Sequence, residues 1–304
     1  MKNLQTLVNQ VHERVLADPL EGKVADYIPA LECVSPDRFG IAVHLLDGQI
    51  ASAGDASVPF SMQSISKLFC LVLALQTWGD DLWHRVGREP SGTAFNSLVL
   101  LEQEDGLPRN PFINAGALAV TNAIVSRFAR PNQAVIEFVG HLAGDADLSI
   151  DENVFRSEYE HGNLNRSIAY FLKAHGRMEN LVEDVTIAYF KQCSIPITCL
   201  QLARAGLFLT SGGVSPDGTP ILARLQSRQV CSLMQTCGLY DGTGDFSFRV
   251  GWPGKSGVGG GILAIIPGRG TACVWSPPLT QKGNSVRGMR ALELLAHAFE
   301  MESH

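Results

Sequence analysis

Length, composition and charge narrow the possible functions before any motif is considered. The chain has 304 residues, of which 45% are hydrophobic and 18% charged, with a formal net charge of -6 at pH 7. This composition is too apolar for a disordered chain, and it argues against a nucleic-acid partner, because neutralising phosphates requires a basic face. The length allows one large domain or two small ones. The 30 glycines exceed the usual share of about 7%, which indicates backbone positions that tolerate no side chain.

The spacing of cysteine and histidine gives no indication of a metal site or of paired disulfides. The seven cysteines are odd in number, and no two of them have the C-x-x-C spacing of zinc and redox sites. The H-E-x-x-H pattern of a zinc-binding helix does not occur in the sequence. We therefore expect reduced cysteines and no metal.

The hydropathy of the chain predicts a protein without a membrane partner. Its apolar runs fall short of the roughly 18 residues that a membrane-spanning helix needs. Residues 1–16 are polar, with apolar residues at helical spacing, which predicts an amphipathic helix and not a signal peptide. We expect the protein in the cytoplasm.

The next elements along the chain are a hairpin and a buried helix. Residues 39–46 and 49–53 are apolar and β-branched, and Asp47-Gly48 between them supplies a tight turn, so they predict a β-hairpin. Residues 61–75 contain no helix breaker and become apolar on nearly every side, which predicts a buried helix.

The rest of the chain divides into a helical middle and a C-terminal part with short strands. Helical patterns cover residues 115–128, 134–143, 166–175, 182–191 and 199–209. Strand patterns separated by glycine and proline turns cover 246–250, 261–266 and 272–275, and a helix is predicted over 285–299. Strand signals are therefore concentrated near the two chain ends.

This arrangement predicts an α/β fold of the α+β kind. An antiparallel sheet formed by both chain ends is flanked by helices, and a helical subdomain packs beside it. We expect one catalytic unit over residues 1–304, with a sheet subdomain made of 1–75 and 225–304 and a helical subdomain of 76–224. A cleft between the two parts is the expected site.

Ser64 and Lys67 are the strongest local candidates for chemistry. In a helix, residues three apart lie on one face, so the Ser64 hydroxyl and the Lys67 amine come within reach of each other. A serine is a weak nucleophile, and a lysine stripped of water can lose its proton near neutral pH and act as its base. The S-x-x-K pattern occurs in serine acyl-transfer enzymes. By itself it also fits a serine-rich helix start followed by a solvated lysine.

A second pattern, Lys255-Ser256-Gly257, makes the first more informative. K-[ST]-G belongs to the same class of S-x-x-K enzymes. The glycines around Val258 allow close backbone approach, and its N–H together with that of Ser64 would form an oxyanion hole. A phosphate-binding loop is excluded, because its first glycine would fall at the position of Arg249.

Ordered motifs along nearly the whole chain resemble one known family. They are Ala25-Asp26-Tyr27-Ile28-Pro29, Gln63-Ser64-Ile65-Ser66-Lys67, Asn110-Pro111-Phe112-Ile113-Asn114-Ala115-Gly116-Ala117, Ser157-Glu158 with Asn165, Tyr189 with Gln192-Cys193-Ser194, Cys237-Gly238-Leu239-Tyr240-Asp241 and Lys255-Ser256-Gly257-Val258. The sequence resembles the serine-dependent, β-lactamase-like glutaminases of bacterial type. The resemblance runs from about residue 20 to Ser285.

The resemblance implies both an activity and a fold. The activity is that of a hydrolase of glutamine catabolism, which converts L-glutamine and water into L-glutamate and ammonia without a cofactor. The fold implied is that of β-lactamases and penicillin-binding proteins. The implied assembly is a homo-oligomer, a homotetramer or a homodimer.

The resemblance also implies roles for individual residues. It gives Ser64 as the nucleophile, Lys67 as its activating partner, and Tyr27 and Tyr240 as tyrosines near the reacting centre. The positions that match the substrate-binding set are Ser64, Asn114, Glu158, Asn165, Tyr189, Tyr240 and Val258. A free amino acid needs an acceptor charge for its ammonium and neutral donors for its carboxylate, which Glu158 and the Asn and Tyr side chains supply. Taken singly, Asn114 also fits a helix N-cap, and Tyr189 also fits core packing.

Two departures from related patterns stand out. The family usually has Gly-Asp-Arg-Asn where this chain has Gly162-Asn163-Leu164-Asn165, which puts loop stability or subunit contacts in question. The S-D-N motif of β-lactamases is absent between the two lysine motifs. Two other functions remain open at this point: a penicilloyl-binding protein or esterase, and a non-catalytic amino-acid sensor.

Overall fold

The computed structural model describes residues 3–92 and 95–301. The helices are α1 Leu4–Ala17, α2 Pro29–Glu32, α3 Ser66–Trp78, α4 Val99–Gln103, α5 Asn114–Val125, α6 Pro131–Ala143, α7 Glu152–His161, α8 Asn163–Ala174, α9 Val182–Cys193, α10 Cys199–Thr210, α11 Arg224–Cys237, α12 Thr243–Arg249 and α13 Val286–Met301. The strands are β1 Gly40–Leu45, β2 Ile50–Gly54, β3 Phe60–Ser61, β4 Pro196–Ile197, β5 Gly254–Ser256, β6 Gly261–Ile266 and β7 Gly270–Trp275. Short 3-10 helices lie at Gln63–Ile65, Gly79–His84 and Tyr240–Gly242.

The main sheet is antiparallel and is formed by segments from the two ends of the chain. Its five strands follow the order β2-β1-β7-β6-β5, so the N-terminal hairpin adds to three C-terminal strands. Gly40 of β1 lies opposite both Gly54 of β2 and Trp275 of β7, which fixes the register at the junction. This architecture confirms the predicted antiparallel sheet flanked by helices. A separate two-stranded pairing joins β3 to β4 beside the segment that carries Ser64.

Helices cover both faces of the sheet because the strand side chains alternate between two apolar cores. Ile41 and Val43 of β1 belong to the core under α1 and α13, whereas Ala42 between them belongs to the core that includes α3, α6 and α10. The helix α10 lies close to the sheet at Gly206, where a Cβ would come within 3.1 Å of Leu263. A third core joins α5, α8 and α9, the helices that carry one wall of the cavity described below.

Most predicted elements are present, and their ends shift by a few residues. The amphipathic helix at 1–16 corresponds to α1, and the hairpin at 39–53 corresponds to β1 and β2. The five helices predicted in the middle correspond to α5, α6, α8, α9 and α10. Neither α7 nor α11 was predicted, because their faces are too polar for an apolar pattern to dominate.

The strand predicted at 246–250 is wrong, since these residues lie in α12 and its C-terminal cap. Phe246, Phe248 and Val250 alternate with polar residues, which predicted a strand. In the helix, Phe246 and Val250 lie four residues apart and are buried, whereas Phe248 is 91% exposed. The spacing of the apolar residues fits both the alternation of a strand and the period of a helix, and tertiary packing selects the helix.

The helix predicted over 61–75 also begins later than expected. Residues Gln63–Ile65 form a 3-10 turn, and the α-helix α3 starts only at Ser66. Ser64 therefore precedes the helix that carries Lys67.

The division of the chain at residues 76 and 225 stays a prediction. The helix α10, which falls within the predicted helical subdomain, packs against β1, β6 and β7. None of the helices in the described parts of the chain is both long and apolar enough to cross a membrane.

Candidate active site

A cavity of about 330 Å³ opens between the start of α3, the helices α5, α7, α8 and α9, and the turn after β5. Seven of the residues singled out from the sequence line it, namely Tyr27, Ser64, Asn114, Glu158, Asn165, Tyr189 and Val258. Of the remaining two, Lys67 is buried and hydrogen-bonded to Asn114, and Tyr240 lies close enough to Ser64 for Ser64 to influence the pKa of its hydroxyl. The structure thus brings all nine residues together.

Ser64 sits on a backbone segment held in an unusual conformation. The residue before it, Gln63, has a φ of 49°, which residues other than glycine rarely adopt. Such a conformation persists mainly where surrounding contacts enforce it. The Gln63 side chain is 2% exposed and donates to the Ser61 hydroxyl at 3.1 Å. These contacts present Ser64 at the wall of the cavity, where it is 6% exposed.

Glycines of the turn after β5 lie directly against this segment. A Cβ on Gly257 would lie 2.7 Å from the Met62 carbonyl oxygen and 3.3 Å from the Ser64 nitrogen. A Cβ on Gly259 would lie 2.5 Å from the Ser61 carbonyl oxygen. Both positions therefore require glycine, and the reason is close approach to the backbone that carries Ser64.

Lys67 is almost completely buried beneath the cavity. Its side chain is 1% exposed, and its Nζ donates to the Asn114 Oδ1 at 2.7 Å and to the Phe112 carbonyl at 3.3 Å. Burial lowers the pKa of Lys67 to about 8, because the charged form loses its hydration, although nearby Cys193 and Glu158 oppose this shift. A large share of the Lys67 amine is therefore neutral at mildly alkaline pH.

Asn114 connects Lys67 with the helical side of the cavity. Its Oδ1 accepts from Lys67 and from the Tyr189 hydroxyl at 3.3 Å, and its Nδ2 donates to the Asn165 Oδ1 at 2.8 Å. The Nδ2 of Asn165 makes no hydrogen bond within residues 3–92 and 95–301, and it remains available at the cavity. The N-cap of α5 is Ile113, so Asn114 is not a capping residue.

Tyr189 serves both as a core residue and as a cavity residue. It is 3% exposed and packs edge-on against Phe190, while its ring lies 5.9 Å from the Lys67 Nζ. Burial raises the pKa of Tyr189 well above its ordinary value, so its hydroxyl stays protonated as a hydrogen-bond donor.

Glu158 places a buried carboxyl group at the cavity. It is 4% exposed, and its Oε1 accepts from the Tyr27 hydroxyl at 2.8 Å. Burial raises the pKa of Glu158, whereas hydrogen bonds from Tyr27 and Gln63 and the charge of Lys67 act in the opposite direction. A buried carboxyl group with so few donors favours a cationic partner.

Tyr27 covers this carboxyl group from the solvent side. The residue is 48% exposed, yet its hydroxyl points inward and also donates to the Gln63 Oε1 at 3.0 Å. Desolvation of the hydroxyl and the neighbouring charge of Glu158 raise the pKa of Tyr27 well above its ordinary value.

Tyr240 and Val258 belong to the segments before and after β5, near Ser64. Tyr240 has a φ of 52°, another strained non-glycine position, and its hydroxyl donates to the Ser256 carbonyl at 3.4 Å. Burial raises the pKa of Tyr240, and its hydrogen bond with Ser64 partly offsets this. Val258 follows β5 and lines the cavity.

Several cavity residues had no assigned role at the level of sequence. They are Gln63, Phe95, Asn96, His161, Gly162, Leu164 and Cys193. Position next to Ser64 could have identified Gln63, but Phe95 and His161 carry no local signal. In the described ranges, no group of three or more His, Cys, Asp or Glu side chains is arranged to hold a metal ion.

Comparison with known proteins identifies one family. The Glutaminase family model matches residues 22–304. A glutaminase from Rhizobium rhizogenes is 51% identical over 300 residues, covering 97% of each chain, and one from Aeromonas hydrophila is 54% identical over 279 residues, covering 91% of each.

Solved structures are similar to this chain as well. A structure described as the probable glutaminase ybaS has a TM-score of 0.93 at 35% identity, covering 98% of this chain and 97% of that one. Mglu in its glutamate form has a TM-score of 0.92 at 37% identity, covering 98% of this chain and 69% of that one. This likeness confirms the predicted fold class, and together with the family match it establishes that the chain belongs to the glutaminase family.

Proposed function

We propose that this protein hydrolyses the side-chain amide of L-glutamine to L-glutamate and ammonia through an acyl-enzyme on Ser64. One observation carries the proposal. Ser64 and the buried carboxyl group of Glu158 line the same small cavity, and Lys67, whose pKa is lowered by burial, follows three residues after Ser64. The membership of the chain in the glutaminase family and the glutamate form of Mglu support the choice of substrate.

The charges of the cavity suit a zwitterionic amino acid. Glu158 is the only carboxylate among the described residues that line the cavity, and we assign to it the ammonium group of the substrate. Asn165 and Tyr189 are neutral donors on the neighbouring helices, suited to the substrate carboxylate. Tyr27, whose hydroxyl is bonded to Glu158, would contact the same end of the substrate.

The acylation step uses Ser64 and Lys67. The Ser64 Oγ attacks the side-chain amide carbon of glutamine while its proton passes to the neutral Lys67 amine, and the Tyr240 hydroxyl beside Ser64 assists this transfer. When the C–N bond breaks, the proton returns to the leaving nitrogen, and ammonia departs. Water then attacks the acyl ester by the reverse proton path and releases glutamate.

Two backbone N–H groups are suited to the oxyanion. No hydrogen bond of the described residues uses the N–H of Ser64 or of Val258, so both remain free to donate. A Cβ on Gly257 would lie 3.3 Å from the Ser64 nitrogen, so the N–H groups of Ser64 and Val258 belong to adjoining segments. An oxyanion hole of this kind is worth about 10²–10³ in kcat for each donor removed.

The experiment that tests the proposal is an assay of the purified protein with glutamine. Ammonia and glutamate should appear in equal amounts, and asparagine, one methylene shorter, should be turned over more slowly. Rapid quenching followed by peptide mass spectrometry should find a glutamyl ester on Ser64. Absence of turnover with glutamine, or acylation of Ser64 by a β-lactam in its place, would overturn the proposal.

We also propose a cytoplasmic homo-oligomer, a tetramer or dimer, with no cofactor. The cysteines support a reducing compartment, since all seven are free. Membership in the glutaminase family supports the assembly, because the resemblance to the bacterial-type enzymes implies a homo-oligomer. Light scattering coupled to gel filtration and fractionation of the native cells test these two statements; a monomer would contradict the first.

A further inference from the structure

A second buried lysine, Lys255, lies outside the set of residues that form the cavity. It is the middle residue of β5, its side chain is fully buried, and no carboxylate of residues 3–92 and 95–301 forms an ion pair with it. Its Nζ donates to two backbone carbonyls, that of Gly238 at 3.0 Å and that of Ser256 at 2.6 Å. Burial, together with the charge of nearby Lys67, lowers the pKa of Lys255 well below its ordinary value and favours the neutral amine. A lysine buried in this way without an anionic partner requires an explanation.

The two carbonyls that Lys255 binds belong to the support of Tyr240. The Ser256 carbonyl also accepts the Tyr240 hydroxyl at 3.4 Å. Gly238 lies two residues before Tyr240, at the start of the turn in which Tyr240 adopts its strained φ of 52°. The Lys255 Nζ further lies over the Tyr240 ring, 4.8 Å from its centroid.

The packing between β5 and this turn leaves little freedom. A Cβ on Gly238 would lie 1.8 Å from the Gly254 carbonyl oxygen, and the Ser256 N–H donates to the Gly238 carbonyl at 3.2 Å. The Lys255 amine adds a second donor to that same carbonyl. The turn is therefore attached to the sheet at the point from which the Tyr240 side chain extends toward Ser64.

We propose that Lys255 is a positioning residue that holds Tyr240 at hydrogen-bonding distance from Ser64. It binds the carbonyls of Gly238 and Ser256 and lies over the Tyr240 ring, and it does not line the substrate cavity. This inference rests on the serine mechanism proposed above. Loss of the amine would leave substrate binding intact and would misplace the Tyr240 hydroxyl.

A double-mutant cycle between Lys255→Met and Tyr240→Phe tests this role. Lys255→Met should lower kcat about tenfold to a hundredfold, because a misplacement of about 1 Å at a reacting centre costs that much. KM should change by less than about threefold, because the interaction lost does not contact the substrate. In the Tyr240→Phe background, Lys255→Met should lower kcat by less than about threefold, because the group that it positions is already absent.

A control variant separates this effect from a general loss of packing. Leu263 on β6 is the cross-strand neighbour of Lys255 and is also fully buried, so Leu263→Met disturbs the same region with little change in volume. Leu263→Met should leave kcat unchanged, and its effect should be independent of Tyr240→Phe. If Lys255→Met does not fold, Lys255→Gln is used in the same cycle. If neither neutral variant folds, Lys255 is a structural residue of the core and the proposal is wrong.

The outcomes distinguish this proposal from the serine mechanism itself. Ser64→Ala and Tyr240→Phe are measured in parallel. Turnover by Ser64→Ala would refute the mechanism. If Ser64→Ala is inactive and Tyr240→Phe is slow, but the effects of Lys255→Met and Tyr240→Phe on kcat multiply as independent changes, then only the positioning role fails. An increase in KM with unchanged kcat in Lys255→Met would also overturn it.

Discussion

The two sides of the cavity are constructed in different ways. On one side, which we name the helical wall, Glu158, Asn165 and Tyr189 extend from the regular helices α7, α8 and α9. On the other, which we name the turn wall, Ser64, Tyr240 and Val258 lie on or beside short turns, and strained φ angles occur at Gln63 and Tyr240. In the mechanism proposed above, the helical wall acts through side chains that bind, whereas the turn wall acts through backbone geometry at the reacting atoms.

This difference predicts how substitutions divide between KM and kcat. A side chain of the helical wall can be removed without moving the backbone, so its loss should raise KM. A change in the turn wall should lower kcat, because the positions of the nucleophile and the oxyanion donors depend on close backbone contacts. The following predictions test that division, from the largest expected effect to the smallest.

Replacement of the nucleophile should have the largest effect. Ser64→Ala should lower kcat by about 10⁴-fold or more, because no other group can form the acyl ester. Ammonia release from glutamine measures the loss. Calorimetry should still find glutamine binding to the variant, and thermal unfolding should be close to that of the unchanged protein. Residual turnover within tenfold of the unchanged protein would contradict the assignment of Ser64.

Removal of the charge on the helical wall should mainly affect binding. Glu158→Gln should lower kcat/KM about a hundredfold or more, mostly through KM, because the ammonium group would be desolvated without an opposite charge. Steady-state kinetics over a wide range of glutamine concentration separate the two constants. Glu160→Gln is the matched control, since Glu160 lies two residues further along the same helix and is exposed. Equal effects of the two substitutions would refute the role of Glu158.

A methyl group in the turn wall should act on kcat. In Gly257→Ala the added Cβ would lie 2.7 Å from the Met62 carbonyl oxygen, so the segment carrying Ser64 must shift. We expect kcat to fall about tenfold to a hundredfold, with KM nearly unchanged. Thermal unfolding should report a loss of about 1–3 kcal/mol from the overpacking. Gly244→Ala, where a Cβ meets nothing within 4 Å, should leave kcat as it is.

The pH dependence should report the ionisation of Lys67. Its pKa is lowered to about 8 by burial, and only the neutral amine can accept the Ser64 proton, so kcat/KM should rise as the pH rises through this value. About one tenth of the amine is neutral at pH 7, which predicts a gain of about tenfold between pH 7 and pH 9. A pH-rate profile measures this, with circular dichroism at each pH as the control for folding. A flat profile over this range would contradict the role of Lys67 as the base.

The sequence by itself determined the patterned elements and predicted which residues are the candidates for the reaction. The apolar spacing in α1 and the turn residues of the β1–β2 hairpin are local properties, so they could be identified without the fold. Two short motifs have residue types that indicate serine acyl-transfer chemistry. They are the pair Ser64 and Lys67 and the run from Lys255 to Gly257. The nine site residues are identifiable because ordered motifs connect them with a known family.

Tertiary structure decided how these residues are used. The pattern of Phe246, Phe248 and Val250 fits a strand or a helix, and only packing of the first and third against the core selects α12. The sequence predicted that glycines around Val258 allow the backbone to approach the substrate, whereas the structure places Gly257 and Gly259 against the backbone of the Ser64 segment. The hydrogen bonds of Lys255 to Gly238 and Ser256 likewise have no signature in the sequence. Such contacts join segments distant in the chain, and their energy depends on distances of tenths of an ångström that residue types alone do not specify.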